Sequence, residues 1–379
     1  MTPPSRNGSG PPEVADLDSR ILVVNAGSSS LKLSVLDAAD AVLASRSFRD
    51  EAVEDGELAV WAGAAGRIGA VGHRIVQGGS DFTGPVVVSG EVRSRLEALG
   101  DLAPLHQAKA LAAFDAIHDA VADVPNVACF DTAFHAHMPE AAALYAIPAE
   151  WRRRWGIRRF GFHGLSHAYA AGRTAELMGR PVTDLRIVTC HLGAGASLAA
   201  VQGGRSVDTS MGFTPLEGLV MATRSGSVDP GLVLWLIEHA GLDPAAVAAG
   251  LELGSGLLGL AGTADMETVL ERCRGGDGDA RLALDVYIHR LRAGIAAMAA
   301  SMGGLDAVTF TGGVGENASE VRRRAASRLG FLGLAIEDDR NTSGEGDRPI
   351  GSPRAGVQTF VVKAREDLQI AHEVRSLLG

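Results

Sequence analysis

Several features that define large protein classes are scarce in this chain. It has 3 cysteines in 379 residues, Cys129, Cys190 and Cys273, odd in number and far apart. This spacing argues against a disulfide framework or a cysteine-based zinc site and favours a reducing compartment, so we expect a cytoplasmic protein. No uninterrupted apolar run reaches membrane-spanning length, and the polar N-terminus lacks the apolar stretch of a secretory signal.

Positive charge is also in short supply. The chain has 35 Lys and Arg against 45 Asp and Glu, a net charge of -10 at pH 7. An acidic chain is a poor general partner for nucleic acid or an anionic membrane, and we expect it to bind neither. An anionic ligand would therefore have to be held by a few basic side chains aimed at it.

The order of the predicted elements indicates an α/β protein with two domains. Residues 1–18 are polar and rich in Pro, Gly and Asp, which predicts a disordered leader. A strand, a Gly/Ser turn and a second strand occur near residues 21–35 and again near 187–202. Because the pattern recurs about half the chain further on, we interpret it as two domains that share one core plan. Strands lead and helices alternate with them, which indicates the α/β class. Residues 319–329 predict a helix with an Arg-rich face, and 341–356 a polar surface loop.

Three glycine turns leave predicted strand ends, around Gly27, at residues 193–195 and at 312–315. Glycine lets backbone N–H groups approach a phosphate without a Cβ in the way. Each turn alone could be a plain hairpin, and none is a Walker A motif. Three of them in a duplicated α/β frame favour a nucleotide held between two lobes.

A few charged residues and histidines are candidates for the site. Arg74 and Arg224 lie next to glycine-rich loops, and a guanidinium fork matches phosphate or carboxylate oxygens. Asp131 ends an apolar strand, whereas Asp229 is interpreted as a helix N-cap. A zinc pair of His163 and His167 lacks the glutamate of H-E-x-x-H, and His163 is the histidine we single out. The basic residues 152–154, 158 and 159 are interpreted as a solvated face or a subunit contact.

Eight stretches, in order along the chain, resemble the acetate kinase family. They are residues 25–32 (NAGSSSLK), 72–76 (GHRIV), 103–106 (APLH), 130–135 (FDTAFH), 161–167 (GFHGLSH), 208–218 (DTSMGFTPLEG), 223–226 (TRSG) and 310–317 (FTGGVGEN). The resemblance implies the actin/sugar-kinase/Hsp70 superfamily fold, with two duplicated ribonuclease H-like domains closing on a cleft, and a homodimer. On this basis we assign residues 19–133 plus 368–379 to an acyl and phosphate lobe and 134–367 to a nucleotide lobe.

The family transfers the γ-phosphoryl group of ATP reversibly to a short-chain carboxylate. The resemblance implies catalytic roles for Arg74, Asp131, His163 and Arg224, with Arg74 also binding the acyl carboxylate. It implies that His106 stands near the transferring phosphoryl group. The implied acyl pocket consists of four apolar residues, Val76, Leu105, Phe162 and Pro215.

The resemblance also implies the nucleotide and metal sites. Asn25, Ser28, Ser30 and Lys32 would line the phosphate side of the cleft, and Asn25 and Glu366 would hold Mg²⁺, or Mn²⁺ in its place. ATP would be bound by Lys32, His191, Gly193, Gly195, Asp265, Gly313, Val314, Gly315 and Asn317.

The chemistry fits these residue types. A loose phosphoryl-transfer transition state needs positioning and positive charge more than a covalent nucleophile. A carboxylate is already ionised at pH 7, so no general base is needed. Two anions must meet, and two arginines, a histidine and a magnesium ion can offset their repulsion.

The sequence departs from the family pattern on the nucleotide side. Ala194 replaces a usual Asn, Ala222 and Ser227 replace Gly and Asp around Arg224, and Glu267 stands where relatives usually carry Arg. The main interpretation is an acetate or propionate kinase. Alternatives are a butyrate or branched-acyl kinase, a kinase with another donor such as pyrophosphate, and a non-catalytic Hsp70/actin-like nucleotide-binding protein.

Overall fold

The computed structural model describes residues 20–27, 30–49, 57, 60–61, 66–100, 104–121 and 124–379. The predicted leader and Ser28 lie outside these residues. The side chains of Ser30, Leu105 and His106 lie outside the description too. The roles predicted for these residues therefore stay predictions.

The first half of the described chain builds one sheet. Its strands are β1 (Arg20–Ala26), β2 (Ser30–Leu36), β3 (Val42–Arg49), β4 (Ile68–Ile75), β5 (Val86–Val87) and β6 (Asn126–Phe130). They lie in the order β3-β2-β1-β4-β6-β5. The predicted hairpin is present as antiparallel β1 and β2, while β1, β4 and β6 run parallel. The carboxyl ends of these three parallel strands therefore meet at one edge.

The second half repeats this plan. Its strands are β7 (Arg186–Leu192), β8 (Ala196–Gln202), β9 (Arg205–Thr209), β10 (Ala307–Thr311), β11 (Arg348–Pro349) and β12 (Gln358–Val361). The run β9-β8-β7-β10-β12 within this sheet matches β3-β2-β1-β4-β6 in order. The antiparallel and parallel pairings match as well. The predicted duplication of one α/β core is therefore confirmed.

Helices fill the connections between strands. They are α1 (Gly90–Ala98), α2 (Pro104–Ala120), α3 (Glu140–Ala143), α4 (Ala149–Trp155), α5 (Gly164–Met178), α6 (Pro230–Glu238), α7 (Pro244–Leu253), α8 (Gly256–Ala261), α9 (Met266–Arg274), α10 (Gly278–Ser301), α11 (Gly312–Asn317), α12 (Ser319–Ala326), α13 (Asp338–Thr342) and α14 (Glu366–Leu378). Asp229 caps α6, as predicted, because its carboxylate accepts from the Gly231 N–H at 2.9 Å.

Two helices show where the cores lie. The last helix, α14, packs Ile370 and Val374 against Ile21 and Val23 of β1, so the end of the chain returns to the first sheet. The long helix α10 packs against the second sheet. The division into lobes at 19–133 plus 368–379 and 134–367 stays a prediction.

Three local predictions were wrong. Of the turn at residues 312–315, only Gly312 has a turn backbone, with φ of +78°. Glu316 accepts from its N–H at 3.1 Å, and α11 starts there. The Arg-rich helix ends at Ala326, and its Arg322 is 1% exposed because it binds Asn341 at 2.8 Å. Residues 341–356 are not a simple surface loop, since they contain β11 and the fully buried Ile350.

Among the described residues, no single helix has the length and apolarity to cross a membrane. The bent pair Pro244–Leu253 and Gly256–Arg274 meets those two criteria, and nothing beyond length and composition supports it.

Candidate active site

Arg74 lies at the centre of a polar cluster where the carboxyl ends of β1, β4 and β6 meet. Its Nη2 donates to Asp131 Oδ2 at 2.6 Å, and its Nε lies 3.2 Å from both Asp131 oxygens. Its Nη1 donates to Asn25 Oδ1 at 3.1 Å and lies 3.9 Å from Glu366 Oε2. The structure thus brings together four predicted residues that lie far apart in the sequence.

The two carboxyl groups beside Arg74 differ in environment. Asp131 is 1% exposed, and burial raises its pKa while Arg74 opposes the shift. Burial also raises the pKa of Glu366, but Arg74 and the other polar neighbours outweigh it and hold that pKa below its usual range. Glu366 is therefore ionised at pH 7, and Asn25 Nδ2 donates to its Oε2 at 2.7 Å.

His163 is held next to this cluster by its backbone. It has φ of +57°, an uncommon value for a residue with a side chain. Its N–H donates to the Asp131 carboxylate, and the next amide, of Gly164, donates to the Asp131 carbonyl at 2.8 Å. A Cβ on Gly164 would lie 2.2 Å from that carbonyl oxygen, so only glycine fits there. The strained turn therefore ties His163 directly to Asp131.

The His163 ring is half-buried and neutral. Burial and the nearby cationic groups lower its pKa well below the usual range. The ring stacks on His191 with centroids 4.3 Å apart, and its Nδ1 lies 2.9 Å from Ser197 Oγ. A neutral imidazole can donate one hydrogen bond, which suits contact with an anionic oxygen.

Arg224 approaches the same place from the second sheet. A Cβ on Gly195 would lie 3.3 Å from His163 Nε2 and 3.5 Å from Arg224 Nη1, so the two side chains converge on this glycine. Arg224 Nη1 donates to the Pro215 carbonyl at 3.2 Å. No carboxylate of the described residues forms an ion pair with it, and burial lowers its pKa. Within the described chain its charge is therefore held by no ion pair and is offset only by the more distant carboxylate of Glu252.

The predicted acyl pocket is apolar where it is described. Val76 is 5% exposed and Phe162 is 1% exposed, and both belong to one buried cluster. Pro215 is half-buried and meets Arg224 through its carbonyl. The four residues therefore stay a predicted pocket, of which Pro215 is joined to Arg224.

A cavity of about 960 Å³ lies between α9, α10, α11 and α12, and its lining includes Gly193 and Ala194, which directly precede Gly195. Five predicted nucleotide residues line it: Gly193, Asp265, Gly313, Val314 and Asn317. Ala194 and Glu267, the two departures from the family pattern, line it too. Asp265 also caps α9 by accepting from the Thr268 N–H at 2.8 Å.

Four other predicted nucleotide residues do not line this cavity. His191 and Gly195 stand at the His163 end of the site. Lys32 is exposed on β2, with its Cα paired to that of Asn25. Gly315 is buried inside α11, where its carbonyl accepts from Arg322 at 2.9 Å.

The basic run was partly misinterpreted. Arg159 is half-buried and paired, since its Nη2 donates to Glu217 Oε1 at 2.8 Å and its guanidinium lies over the Tyr145 ring. Its neighbours on α4 remain at the surface. The difference in exposure arises because the residues that follow α4 fold back against the loop after β9, where the Arg159 Nη1 donates to the Met211 carbonyl.

Several residues in or near the site were missed from the sequence. Arg274, Arg281 and Arg324 line the cavity, as do the apolar Leu270 and Leu284. Ser197 and Thr189 stand inside otherwise apolar strands and face buried histidines. A polar residue within an apolar strand was the one signal that could have indicated them.

The chain matches the acetokinase family over residues 63–372. It is 45% identical over 318 residues to an acetate kinase of Trichormus variabilis, covering 84% of this chain and 78% of that one. It is 48% identical over 312 residues to an acetate kinase of Deinococcus radiodurans, covering 82% and 78%.

Solved structures agree with this. An acetate kinase from Porphyromonas gingivalis superposes with a TM-score of 0.87 at 33% identity, covering 95% of this chain and 100% of that one. A propionate kinase from Francisella tularensis superposes with 0.86 at 33% identity, covering 94% and 98%. The fold class implied by the sequence motifs is confirmed.

Proposed function

The chain belongs to the acetokinase family, and on that premise we propose that it acts as an acetate kinase. It transfers the γ-phosphoryl group of ATP reversibly to acetate, giving acetyl phosphate and ADP, and it also accepts propionate. The observation that carries this proposal is the convergence of His163 and Arg224 on Gly195, with Arg74 joined to His163 through Asp131. Gly193 and Ala194, just before Gly195, line the cavity that holds most of the predicted nucleotide residues.

The two arginines suit different tasks. Arg74 is fixed by Asp131, Asn25 and Glu366, so it is a rigid fork with little free charge. It orients the acetate carboxylate. Arg224 forms no ion pair among the described residues, so its charge is available to the transferring phosphoryl group.

The reaction needs no proton transfer. An oxygen of the ionised acetate attacks the γ-phosphorus as the bond to the oxygen bridging the β- and γ-phosphates of ATP breaks, and ADP leaves with those electrons. His163 is neutral and donates a hydrogen bond to a phosphoryl oxygen, and Arg224 offsets the charge on the others. The buried Val76 and Phe162 exclude water from the acetate methyl group.

The protein offers Mg²⁺ a small set of oxygen donors, Glu366 and Asn25. Glu366 is ionised and its Oε1 accepts no hydrogen bond within the described chain. No group of three His, Cys, Asp or Glu residues among those described could hold a metal. Mg²⁺ is commonly bound by one or two carboxylates plus substrate phosphates and water, and Glu366 beside Asn25 would supply the protein's share. When bound, the ion offsets phosphate charge; Mn²⁺ would serve the same role.

Acyl hydroxamate formation tests the proposal. Purified protein is incubated with ATP, Mg²⁺, hydroxylamine and acetate, propionate or butyrate in parallel. We expect hydroxamate with acetate and propionate, less with butyrate, and none without ATP. No hydroxamate from any acid would overturn the proposal. Greater turnover with butyrate than with acetate would favour the longer-chain alternative, and turnover with pyrophosphate instead of ATP a changed donor.

A homodimer and a cytoplasmic location complete the proposal. Helix α6 has no buried residue, and its Leu232, Leu234 and Trp235 are 44%, 56% and 54% exposed. An apolar helix at a surface supports contact with a second copy through this face. Light scattering should give twice the chain mass, and Leu234→Glu should halve it. The cysteines are all free, which supports a reducing compartment.

A further inference from the structure

A chain of buried hydrogen bonds runs from β7 to the His163 ring. Thr189 Oγ1 lies 2.7 Å from His167 Nδ1, and His167 Nε2 lies 2.7 Å from Ser197 Oγ. Ser197 Oγ also lies 2.9 Å from His163 Nδ1. Thr189, His167 and Ser197 are each 0% exposed, so water does not compete for these bonds.

Such a chain has only two self-consistent directions. A neutral imidazole donates at one nitrogen and accepts at the other, whereas a hydroxyl can do both. In one direction Thr189 donates to His167, His167 to Ser197, and Ser197 to His163. In the other direction every bond is reversed, and the proton of His163 lies on Nδ1.

Thr189 decides between the two directions. Within the described chain, His167 is the one hydrogen-bond partner of its hydroxyl. If Thr189 accepted from His167, its own buried O–H would have no acceptor, which is costly. If Thr189 donates, each hydroxyl and the His167 N–H have an acceptor, and only the Nε2–H of His163, at the open end of the chain of bonds, faces the site.

The outward nitrogen of His163 faces the site. The Cβ that Gly195 lacks would lie 3.3 Å from His163 Nε2 and 3.5 Å from Arg224 Nη1. A proton on Nε2 therefore points to where the phosphoryl group would lie, while a lone pair there would repel its oxygens.

We propose that Thr189, His167 and Ser197 act as positioning residues, a one-way hydrogen-bond relay that keeps the proton of His163 on Nε2. The catalytic role of the relay rests on the proposed phosphoryl transfer, whereas the position of the His163 proton does not depend on it. Removing any of its members lets His163 take up both tautomers, and only part of the enzyme then presents a donor to the phosphoryl group.

The tautomer is measured directly in the resting enzyme, without substrates. Protein labelled with ¹⁵N-histidine is studied by two-bond ¹⁵N–¹H correlation spectra, with the His163 signals assigned from His163→Gln. We expect the Nε2–H form in the wild type and a mixture in Thr189→Val, which is isosteric and touches neither His163 nor Arg224. Thr189→Ser keeps the hydroxyl and should restore the wild-type spectrum.

Kinetics supply a second readout. Ser197→Ala should lower kcat roughly ten- to a hundredfold, Thr189→Val less, and KM for ATP and acetate should change less than twofold, because the relay orients a donor rather than building a binding surface. Ser206→Ala is the matched control: Ser206 Oγ lies 2.7 Å from His135 Nδ1, a buried Ser–His pair outside the relay. It should leave the His163 tautomer unchanged.

Two results would overturn the relay: an Nδ1–H form of His163 in the wild type, or an unchanged Nε2–H form in both Thr189→Val and Ser197→Ala. Failure of the proposed function looks different. The wild type would then form no hydroxamate while His163 still carried its proton on Nε2.

Discussion

Replacing Arg224 is the clearest test of the different tasks proposed for the two arginines, because it should lower turnover without lowering stability. In Arg224→Ala, the side chain loses its hydrogen bond to the Pro215 carbonyl at 3.2 Å, and no carboxylate of the described residues loses a partner. The fold should therefore keep its stability. Arg74→Ala would instead leave the buried Asp131 without its counter-charge, at a cost of roughly 3–5 kcal/mol in the free energy of unfolding.

The effect of Arg224→Ala on turnover should be large. A preorganised charge that meets the transition state is worth about 2.7–5.4 kcal/mol, so kcat should fall roughly 10²- to 10⁴-fold. Burial lowers the pKa of Arg224, which indicates that its charge is poorly solvated and is stabilised when an anion binds. Arg224→Lys should recover little, since a point charge does not reproduce the planar fork.

The assay is hydroxamate formation at saturating ATP and acetate, combined with thermal unfolding of each variant. Arg173→Ala is the matched control, because Arg173 pairs with Asp347 and Glu176 away from the site, and it should keep wild-type kcat. A folded Arg224→Ala protein that keeps a third or more of the wild-type kcat would refute the assignment.

The remaining predictions concern the pocket, the nucleotide cavity and pH. Val76 is 5% exposed and belongs to the predicted acyl pocket. Val76→Ala should therefore raise kcat/KM for propionate and butyrate relative to acetate by about tenfold per added methylene, measured with the three acids in parallel. An unchanged ranking would contradict the pocket. Ala194 and Glu267 line the cavity. Ala194→Asn and Glu267→Arg should each lower KM for ATP a few-fold at near-constant kcat, a gain of roughly 1 kcal/mol in the free energy of ATP binding for each variant. No change of KM in either variant would mean that these residues do not contact the nucleotide. Burial raises the pKa of Glu373 from 4.5 to about 7. The folded state therefore holds this proton more tightly than the unfolded state, and stability falls as pH rises from about 4.5 to 7. Glu373→Gln should flatten this fall in thermal unfolding scans, and an equally steep fall in the variant would refute the cause.

Short-range patterns in the sequence were enough for much of the fold. The strand, glycine turn and strand near Ile21 and again near Ile187 predicted both antiparallel starts of the two sheets. Alternation and capping depend on residues within a few positions of each other, so they can be recognised without tertiary structure. The same holds for the N-cap at Asp229, whereas the turn at Gly312 became a helix because Glu316 folds back on its first amide.

For the candidate site, too, the sequence motifs indicated some features and only the structure showed the others. Residue type and neighbouring glycines singled out Arg74, His163 and Arg224, the end of an apolar strand singled out Asp131, and the family motifs gave all four a predicted role. They did not reveal that Arg74 is neutralised by Asp131 and Glu366 while Arg224 has no such partner. They also did not reveal that Thr189 and Ser197 connect to the His163 ring.

The sequence by itself thus determined most of the elements, because these depend on local spacing, and it supplied the candidate site residues through the family motifs. The tertiary structure alone decided the state of each group. Asn25 and Glu366 are 341 positions apart and meet at 2.7 Å. Charge compensation, burial and the direction of a hydrogen bond depend on such distant neighbours. They arise only when the two sheets and α14 close around one site.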